Sequence, residues 1–534
     1  MTQPMGRGVV QDITWAQAGQ QVRCMAAWLQ SQGWPAGSRV AIVGKNSAHW
    51  LLADLAILLA GHVSVPVYPT FNASALGYIL EHSNCRACFV GKLDDTQSVR
   101  NGVPGDLACI ALPLAPELPG ALQWDTLVAS QAPLQGQGEM AADTVATIIY
   151  TSGTTGKPKG VVHSFGNLAW ALSSAAPRFG LGYGERFISY LPLAHVAERM
   201  LIEQGALRFG GHIFFAESLD TFVADLQRAR PTVFFSVPRL WLKFQQGVHA
   251  RLPVQRLQKL LRIPLLGGLV RRKILRGLGL DQCRVATGGA APMPAEVLNW
   301  YRSLGLDLVE VYGMTENCGV SHSTLPGSTL TGTVGTPYPG VESRIDAAQG
   351  EILVRSPAVM HGYYREPEQT AAVLTPDGWL RTGDKGHIDA QGQLHITGRV
   401  KDLFKTSKGK YVAPAPIEEL LVQHPDVEAC AVTGAHCAQP FALVMLSADA
   451  VQRSQTASGR TAMDSSLHSH LQRVNQQLEP HERLDFLAAI AQTWTPENGL
   501  VTPTLKVRRD QVEATYAEHY PRWAALRQAV VWAA

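Results

Sequence analysis

A strong excess of charge of one sign is missing from this chain of 534 residues. Lysine and arginine number 46 against 43 acidic residues, and neither end carries a basic tail. A net charge of +3 is too small to indicate nucleic-acid binding. Nucleic acid is therefore not an expected partner.

A long uninterrupted apolar run is also missing. The most hydrophobic stretch, Trp50 to Val67, is interrupted by Asp54 and His62 and is too short to span a bilayer. Its leucines instead recur at the spacing of one face of a soluble helix. The first ten residues, MTQPMGRGVV, do not have the pattern of a secretory signal. We expect neither a transmembrane segment nor a cleaved leader.

Cysteine is sparse, and its eight copies are scattered. Only Cys85 and Cys88 have a motif spacing, in a lone C-x-x-C that leads into the apolar run Cys88-Phe89-Val90. Without a second pair nearby, a buried strand of reduced thiols is favoured over a zinc or redox site. Reduced thiols predict a cytoplasmic protein.

Helical stretches and short strands alternate over residues 14–110 and again over 185–310. Such alternation predicts parallel α/β sheets, here two doubly wound units. From about 330 to 400, short strands broken by glycine predict a small antiparallel sheet or barrel.

A domain boundary is expected near residue 400, because a lysine-rich segment follows Gly398 and precedes a last α/β stretch. We predict an N-terminal domain over 1–398 and a C-terminal domain over 399–534. Within the second, the polar composition of 454–466 predicts a flexible surface loop.

Residues 150–160, YTSGTTGKPKG, have the composition of a phosphate-binding loop. They are not a Walker A loop, because Thr151 stands where its first glycine belongs and Pro158 stands where its hydroxyl belongs. The β-branched flanks predict a strand, a loop and a second strand, so amides, hydroxyls, Lys157 and Lys159 would surround the phosphates without a following helix. An ordinary surface hairpin is the alternative reading.

Seven segments, in order, resemble the AMP-forming adenylate synthetases, which include acyl-CoA synthetases, luciferases and the adenylation domains of peptide synthetases. Together they extend over nearly the whole chain. They are residues 150–160, LPLAH at 191–195, TGGAAP at 287–292, VYGMTE at 311–316, RTGD at 381–384, GRVKD at 398–402 and PTLK at 503–506.

The resemblance implies attack of a carboxylate on the α-phosphorus of ATP, which gives an acyl-adenylate and pyrophosphate, followed by transfer of the acyl group to a thiol. It implies a large N-terminal domain of two doubly wound α/β subdomains and a small antiparallel β-barrel. A smaller, mobile α+β C-terminal domain would carry the catalytic lysine. ATP, Mg²⁺ and coenzyme A are the implied cofactors and substrates.

The resemblance also assigns roles to residues. Thr315 would contact the α-phosphate, Lys506 would bridge the attacking carboxylate and that phosphate, and His195 would lie beside both. Glu316 and Thr155 would hold Mg²⁺. The predicted ATP- and AMP-binding residues are Thr151, Ser152, Gly153, Thr154, Thr155, Gly156, Lys157, Gly288, Gly289, Ala290, Tyr312, Gly313, Asp384 and Arg399.

For the second step, the resemblance places a hinge at Lys401 and a coenzyme A surface at Ser407, Lys408 and Gly409. Rotation about the hinge would withdraw the catalytic lysine and present that surface to the thiol.

The segments around 191–199, 236–241 and 494–500 are most similar to the long-chain fatty acyl-CoA synthetase branch. In that branch, a tryptophan at the position of Trp241 gates a fatty-acid tunnel. Simple core packing is the alternative for Trp241, and a satisfied core histidine is the alternative for His195.

Eight basic residues and no acid lie between Arg251 and Arg276, interleaved with apolar residues. A peripheral contact with anionic lipid at the inner face of the membrane, or a merely solvated helical face, would explain them.

The leading hypothesis is a fatty acid:CoA ligase of medium-to-long chain preference. An enzyme that loads a carrier protein, and a catalytically silent nucleotide-binding or scaffold protein of the same fold, are the alternatives. The oligomeric state is open, with a homodimer as one option.

Overall fold

The computed structural model describes residues 1–136, 138–151, 157–435, 437–502 and 505–533. Helices and strands alternate in the first part of the chain, as predicted. Thr14 begins the first helix with a capping box that it shares with Gln17. The elements are β1 (Thr2–Gly6), β2 (Val9–Asp12), α1 (Trp15–Ser31), β3 (Arg39–Val43), α2 (Ala48–Leu59), β4 (Val63–Val67), α3 (Ala73–Ser83), β5 (Cys85–Val90), α4 (Gln97–Gly102), β6 (Ala108–Ala111), β7 (Leu122–Gln123) and α5 (Trp124–Ala129).

The middle of the chain continues the alternation and adds a helical excursion after residue 237. Short 3₁₀ helices lie at Ala176–Phe179 and Thr315–Asn317, and a π-helical segment lies at Arg199–Gln204. The remaining elements are β8 (Val145–Thr151), β9 (Lys159–Ser164), α6 (Phe165–Ala175), β10 (Arg186–Ser189), α7 (Val196–Glu198), α8 (Gly205–Phe209), β11 (His212–Phe215), α9 (Phe222–Ala229), β12 (Val233–Ser236), α10 (Pro238–Arg251), α11 (Val254–Arg262), α12 (Leu266–Gly277), β13 (Val285–Gly289), α13 (Ala295–Ser303), β14 (Leu308–Tyr312), β15 (His322–Ser323) and β16 (Thr336–Pro337).

The last part begins with short strands and ends in an α+β unit. A 3₁₀ turn lies at Ala517–His519. The elements are β17 (Glu342–Ile345), β18 (Glu351–Arg355), β19 (Gly362–Tyr363), α14 (Pro367–Val373), β20 (Leu380–Ile388), β21 (Leu394–Arg399), β22 (Phe404–Lys405), β23 (Tyr411–Val412), α15 (Pro414–Leu421), β24 (Val427–Thr433), β25 (Phe441–Leu446), α16 (Ala448–Arg453), α17 (Ala457–Asn475), β26 (Leu487–Ile490), α18 (Arg509–Tyr516), α19 (Tyr520–Ala525) and β27 (Val530–Trp532).

One eight-stranded sheet organises the first part of the chain, in the order β19-β9-β8-β4-β3-β5-β6-β7. Its strands from β8 to β7 run parallel, and β9 pairs antiparallel with β8. The two strands predicted within 145–163 are therefore confirmed as the antiparallel pair β8 and β9 of this sheet. Cys85 and Cys88 lie buried in β5 as free thiols, as expected.

The strands between 186 and 337 form two shorter sheets, β10-β11-β1-β2 and β12-β13-β14-β15-β16. Backbone hydrogen bonding between Thr232 and Arg186 joins β10 to the start of β12, so the two sheets meet edge to edge. The pairing of β1 with β11 connects residues about two hundred positions apart, and the sequence did not predict it.

The predicted antiparallel unit is confirmed as the four-stranded sheet β17-β18-β20-β21. The C-terminal part forms its own sheet, β24-β25-β26-β27, with two apolar clusters drawn only from residues beyond 411. None of the helices in the described ranges has the length and apolar content needed to cross a bilayer.

The flexible loop predicted at 454–466 is wrong. This segment lies largely in α17, which begins with a side-chain cap from Thr456 and buries Met463 and Leu467. Polar residues cover the outer face of the helix, and few apolar residues form its buried face. The prediction failed because it used the overall polar composition of the segment and not the spacing of its apolar residues.

Asp54, which interrupts the apolar stretch of α2, has a structural explanation. Its carboxylate pairs with the guanidinium of Arg199 at 2.5 Å, and Arg199 also contacts Glu203 at 3.3 Å. Arg199 donates a further hydrogen bond to Thr147 of β8 at 2.7 Å. The buried cluster therefore joins the segment that follows His195 to the strand that leads into residues 152–156.

Candidate active site

The β8–β9 hairpin positions the ends of the predicted phosphate loop. Thr151 ends β8 and pairs with Lys159 of β9. Lys157 lies over the ring of Tyr78, with its ammonium 5.0 Å from the ring centroid. The other predicted loop residues, Ser152, Gly153, Thr154, Thr155 and Gly156, lie outside the described residues.

Close backbone packing forms the region predicted to face adenine, where β13 ends beside β14. A Cβ atom on Gly289 would lie 2.8 Å from the carbonyl oxygen of Val311, and one on Gly313 would lie 2.2 Å from the backbone of Gly319. Only glycine fits at such distances. Ala290 follows with a left-handed φ of 68°, which turns the chain sharply after Gly288-Gly289.

Three predicted nucleotide-binding residues meet at one hydrogen-bonded cluster. Asp384 and Arg399 are register partners on the neighbouring strands β20 and β21, and their side chains pair at 3.0 Å. The hydroxyl of Tyr312 donates to the other carboxylate oxygen of Asp384 at 2.7 Å. We name these three residues the ribose clamp, because a carboxylate held in this way can accept both hydroxyls of a ribose.

Thr315 and Glu316 lie on a 3₁₀ turn directly after the strand that carries Tyr312. The carboxylate of Glu316 accepts a hydrogen bond from the hydroxyl of Tyr363 at 2.7 Å. The carbonyl of Thr315 pairs with the ring of His163 at 2.7 Å. Burial lowers the pKa of His163 to about 4, so its neutral ring donates this bond.

Lys506 belongs to the C-terminal unit, and its ammonium is close enough to the ribose clamp and Glu316 for their charges to act on its pKa. Its turn is closed by backbone pairing with Thr502 and by a bridge between Val501 and Val507. Desolvation lowers the pKa of the ammonium, Arg399 lowers it further, and Asp384 and Glu316 oppose that effect. Lys506 itself is exposed.

His195 is the N-cap of α7. Its Nδ1 accepts a hydrogen bond from the amide of Ala197 at 3.2 Å, so the neutral ring carries its proton on Nε2. Burial lowers the pKa of His195 to about 4, and the positive charge of Lys506 acts in the same direction. Both predicted roles, substrate contact and satisfied core histidine, are compatible with this geometry.

Trp241 is fully buried on α10. Its indole nitrogen donates to the carbonyl of Thr287 at 3.3 Å, and its ring packs edge-on against Tyr301 and Phe234. A Cβ atom on Gly288 would lie 3.5 Å from the same indole nitrogen. Trp241 therefore lies between the predicted adenine-facing strand and the apolar interior.

The residues predicted for coenzyme A form an exposed turn between β22 and β23. The amide of Ser407 donates to the carbonyl of Cys437 at 2.9 Å, and Lys408 contacts Gln439 at 3.3 Å. Gly409 has a left-handed φ of 78°. Lys401, the predicted hinge, lies exposed in the turn that follows β21.

Sequence reasoning missed Tyr363 and His163, which orient the 3₁₀ turn, and Tyr78, which contacts Lys157. Each lies on an element remote in sequence, so no local pattern could have found it. Among the described residues, no group of three or more His, Cys, Asp or Glu side chains is arranged to hold a metal.

Two family profiles match the chain. The AMP-binding enzyme profile matches residues 5–364, and the profile of the AMP-binding enzyme C-terminal domain matches residues 401–520. In addition, the adenylation domain of a carboxylate reductase from Mycobacterium chelonae has a similar structure, with a TM-score of 0.81 and 22% identity, over 97% of this chain and 85% of that chain. At that identity the likeness shows the fold.

Similar sequences include a long-chain-fatty-acid–CoA ligase of Mycobacterium tuberculosis, FadD15. It is 32% identical over 557 residues, which cover 96% of this chain and 92% of the relative. The peroxisomal long chain acyl-CoA synthetase 6 of Arabidopsis thaliana is 32% identical over 578 residues, which cover 96% and 82%. Together with the profiles and the geometry above, these matches show that the chain belongs to the AMP-binding enzyme family.

Proposed function

We propose that the protein is an AMP-forming fatty acid:CoA ligase, which converts ATP, a medium- or long-chain fatty acid and coenzyme A into acyl-CoA, AMP and pyrophosphate. The observation that carries the proposal is the contact of Asp384 with Arg399 and Tyr312, with Lys506 close enough for its charge to interact with this cluster. A cation from the C-terminal unit thus approaches a polar cluster at the boundary between the two units. The relatives named as long-chain ligases support the choice of acid.

In the first step, a carboxylate oxygen of the fatty acid attacks the α-phosphorus of ATP, and the bond to pyrophosphate breaks. Two anions approach each other, so compact positive charge between them stabilises the transition state. Lys506 supplies that charge, and Thr315 orients the phosphate. The ribose clamp holds the nucleotide through Asp384, Arg399 and Tyr312.

Magnesium is expected at Glu316, with Thr155 as the second predicted ligand. Mg²⁺ usually takes one or two protein carboxylates and completes its shell with phosphate oxygens and water. Glu316 fits this mode as a single carboxylate, held by Tyr363 at one oxygen and belonging, among the described residues, to no group of three or more ligating side chains. Bound there, the ion would neutralise charge on the phosphates.

In the second step, the thiol of coenzyme A attacks the acyl carbon, and AMP leaves. We place the domain boundary at 398/399 and the hinge at Lys401. Rotation about that hinge would remove Lys506 and bring the turn of Ser407, Lys408 and Gly409 to the adenylate. The exposed position of this turn leaves it free to meet a thiol in a second orientation.

The acyl chain would pass Trp241. The indole lies against Gly288 and Thr287, so its movement would open a path from the adenine-facing strand toward the interior. A variant Trp241→Ala would broaden or shift chain-length preference in a competition among fatty acids of graded length. Unchanged preference would make Trp241 a core residue only.

A membrane contact is proposed for residues 251–276, on a cytoplasmic protein. Helices α11 and α12 carry seven of the eight basic residues, Arg251 ends α10, and the link between α11 and α12 exposes Leu265 by 91% and Ile263 by 46%. Cations around exposed apolar side chains fit an anionic lipid surface. Leu265→Ser should reduce co-sedimentation with anionic vesicles, whereas Leu219→Ser, at an equally exposed leucine, should not.

Product analysis by mass spectrometry tests the function as a whole. The protein is incubated with ATP, Mg²⁺, coenzyme A and fatty acids of graded length. Acyl-CoA with stoichiometric AMP is the expected result. Acyl-adenylate without thioester would move the acceptor to a carrier protein, and absence of AMP would leave a silent nucleotide-binding protein.

A further inference from the structure

Three charged side chains join α10 of the N-terminal unit to β24 of the C-terminal unit. Arg239 and Lys243, one helical turn apart on the same face of α10, both contact the carboxylate oxygen Oε1 of Glu428. The ammonium of Lys243 lies 3.5 Å from this oxygen, and the guanidinium of Arg239 lies closer. The side chain of Glu428 is 21% exposed, whereas those of Arg239 and Lys243 are 36% and 59% exposed, so water and salt screen the contact in part.

Each end of this contact lies on a regular element of its own unit. Glu428 is the extra residue of a β-bulge in β24, between Val427 and Ala429, which themselves pair with β25. On α10, Trp241 is fully buried between Arg239 and Lys243, and its carbonyl accepts a hydrogen bond from Tyr301 at 2.8 Å. Neither partner can follow the other when the two units move apart, so the ion pairs exist in one orientation of the units.

In this orientation the ammonium of Lys506 lies near enough to Arg399, Asp384 and Glu316 for their charges to act on its pKa. The nearby charge of Arg399 opposes the arrangement, so a favourable contact elsewhere between the two units would help to hold it. Among the described residues, the ion pairs that connect 1–398 with 399–534 are those of Glu428 and, at the boundary itself, the Arg399–Asp384 pair. The Glu428 contact is therefore a candidate for that stabilisation.

We propose that Glu428, Arg239 and Lys243 form an interdomain latch, whose closure holds Lys506 in place for adenylation and whose opening precedes thioester formation. The three are positioning residues, since they act through Lys506. The latch rests on the proposed function. It also connects the C-terminal unit to α10, the helix that carries Trp241. The position of Trp241 along the proposed acyl path and the position of Lys506 would therefore change together.

Glu428→Gln tests the latch through the two half-reactions, measured separately. Single-turnover formation of acyl-adenylate should slow about three- to tenfold, while release of acyl-CoA from supplied acyl-adenylate and coenzyme A should be unchanged. Adenylation by the unaltered protein should slow with added NaCl, and the variant should lose this dependence. Glu479→Gln, at an exposed site of the C-terminal unit, is the control for loss of one negative charge.

A charge swap separates the latch from a merely structural role. Glu428→Arg alone should slow adenylation further, because it faces two cations, and Arg239→Glu in the same protein should restore most of the rate. A structural role for either residue would make the double variant worse than the single one. Equal adenylation rates in the unaltered protein and Glu428→Gln, or a swap that restores nothing, would overturn the proposal.

Limited proteolysis gives a readout that needs no turnover. Trypsin cleavage within residues 399–410 should be faster in Glu428→Gln than in the unaltered protein and should return to normal in the swap. If the unaltered protein formed no adenylate from any acid while this pattern held, the proposed function would be wrong and the latch would stand as an interdomain contact. Equal cleavage in all variants would remove the latch itself.

Discussion

The two sides of the candidate site are built differently. The ribose clamp joins Asp384 and Arg399, which are register partners on adjacent strands, with Tyr312 at the end of a third strand. Lys506 instead enters from a turn of the C-terminal unit, and its approach depends on how the two units meet. In the proposed reaction, the first side stays in place and the second is withdrawn between the two steps. A reaction in two steps needs both kinds, because the nucleotide stays bound while the catalytic group changes.

Removal of the Lys506 side chain should have the largest effect, because it should slow one half-reaction and leave the other nearly unchanged. Lys506→Ala should slow adenylation by about 10²–10³-fold, which is the usual cost of losing one charge-stabilising donor in a transition state. Thioester formation from supplied acyl-adenylate should change little, since Lys506 has left the site by then. Rapid-quench assays of each half-reaction measure the split. Equal losses in both steps would contradict the division between a permanent and a removable side.

Damage to the ribose clamp should affect both half-reactions. Asp384→Asn replaces charge-assisted hydrogen bonds worth about 1.5–3 kcal/mol, so nucleotide affinity should fall by roughly 10- to 100-fold in each step. The KM for ATP and the Kd for AMP, measured by calorimetry, should rise together. If Asp384→Asn affected adenylation alone, Asp384 would act only in the first step, as Lys506 does, and the account would be wrong for this residue.

Tyr312→Phe offers a smaller perturbation of the same side. Loss of the hydroxyl removes one hydrogen bond to Asp384, worth about 0.5–1.5 kcal/mol, and keeps the flat ring. The KM for ATP should rise by a few-fold, with thermal stability nearly unchanged. Tyr363→Phe, which removes the bond to Glu316 instead, is the matched comparison and should alter magnesium dependence more than ATP affinity.

His195 should contribute the smallest pH effect. Its pKa of about 4 in the folded protein lies below the ordinary 6.5, so the ring stays neutral from pH 5 to 8. The adenylation rate of the unaltered protein should therefore not change near pH 6.5 through titration of His195. The pH profile of His195→Gln should have the same shape in that range. The free energy of unfolding should also depend on pH. As the pH drops, His195 binds a proton in the unfolded protein before it does so in the folded protein, so stability falls between pH 6.5 and pH 4.

Much of the fold and of the nucleotide site could be predicted because those features are local. Strand β3, the β8–β9 hairpin and the glycines of TGGAAP have periodicity or composition that restricts the backbone directly. The clamp could be assigned to Asp384 and Arg399 only through resemblance, since their register is a property of the sheet. The sequence spacing of fifteen residues does not by itself predict that Asp384 and Arg399 are in contact.

Features that depend on remote partners were beyond the sequence. The pairing of β1 with β11 and the contact of Glu428 with Arg239 connect segments about two hundred residues apart. The helix α17 was missed for a different reason, because its core contact uses few apolar residues among many polar ones. In both cases tertiary packing decided what local propensity left open.

An oxygen-label experiment tests the central claim most directly. A fatty acid carrying ¹⁸O in both carboxylate oxygens is converted with ATP and coenzyme A, and the AMP is analysed by mass spectrometry. If the carboxylate attacks the α-phosphorus and the thiol later displaces AMP, one ¹⁸O atom must appear in each AMP and one must remain in the thioester. Unlabelled AMP, or ADP with phosphate as products, would contradict the account.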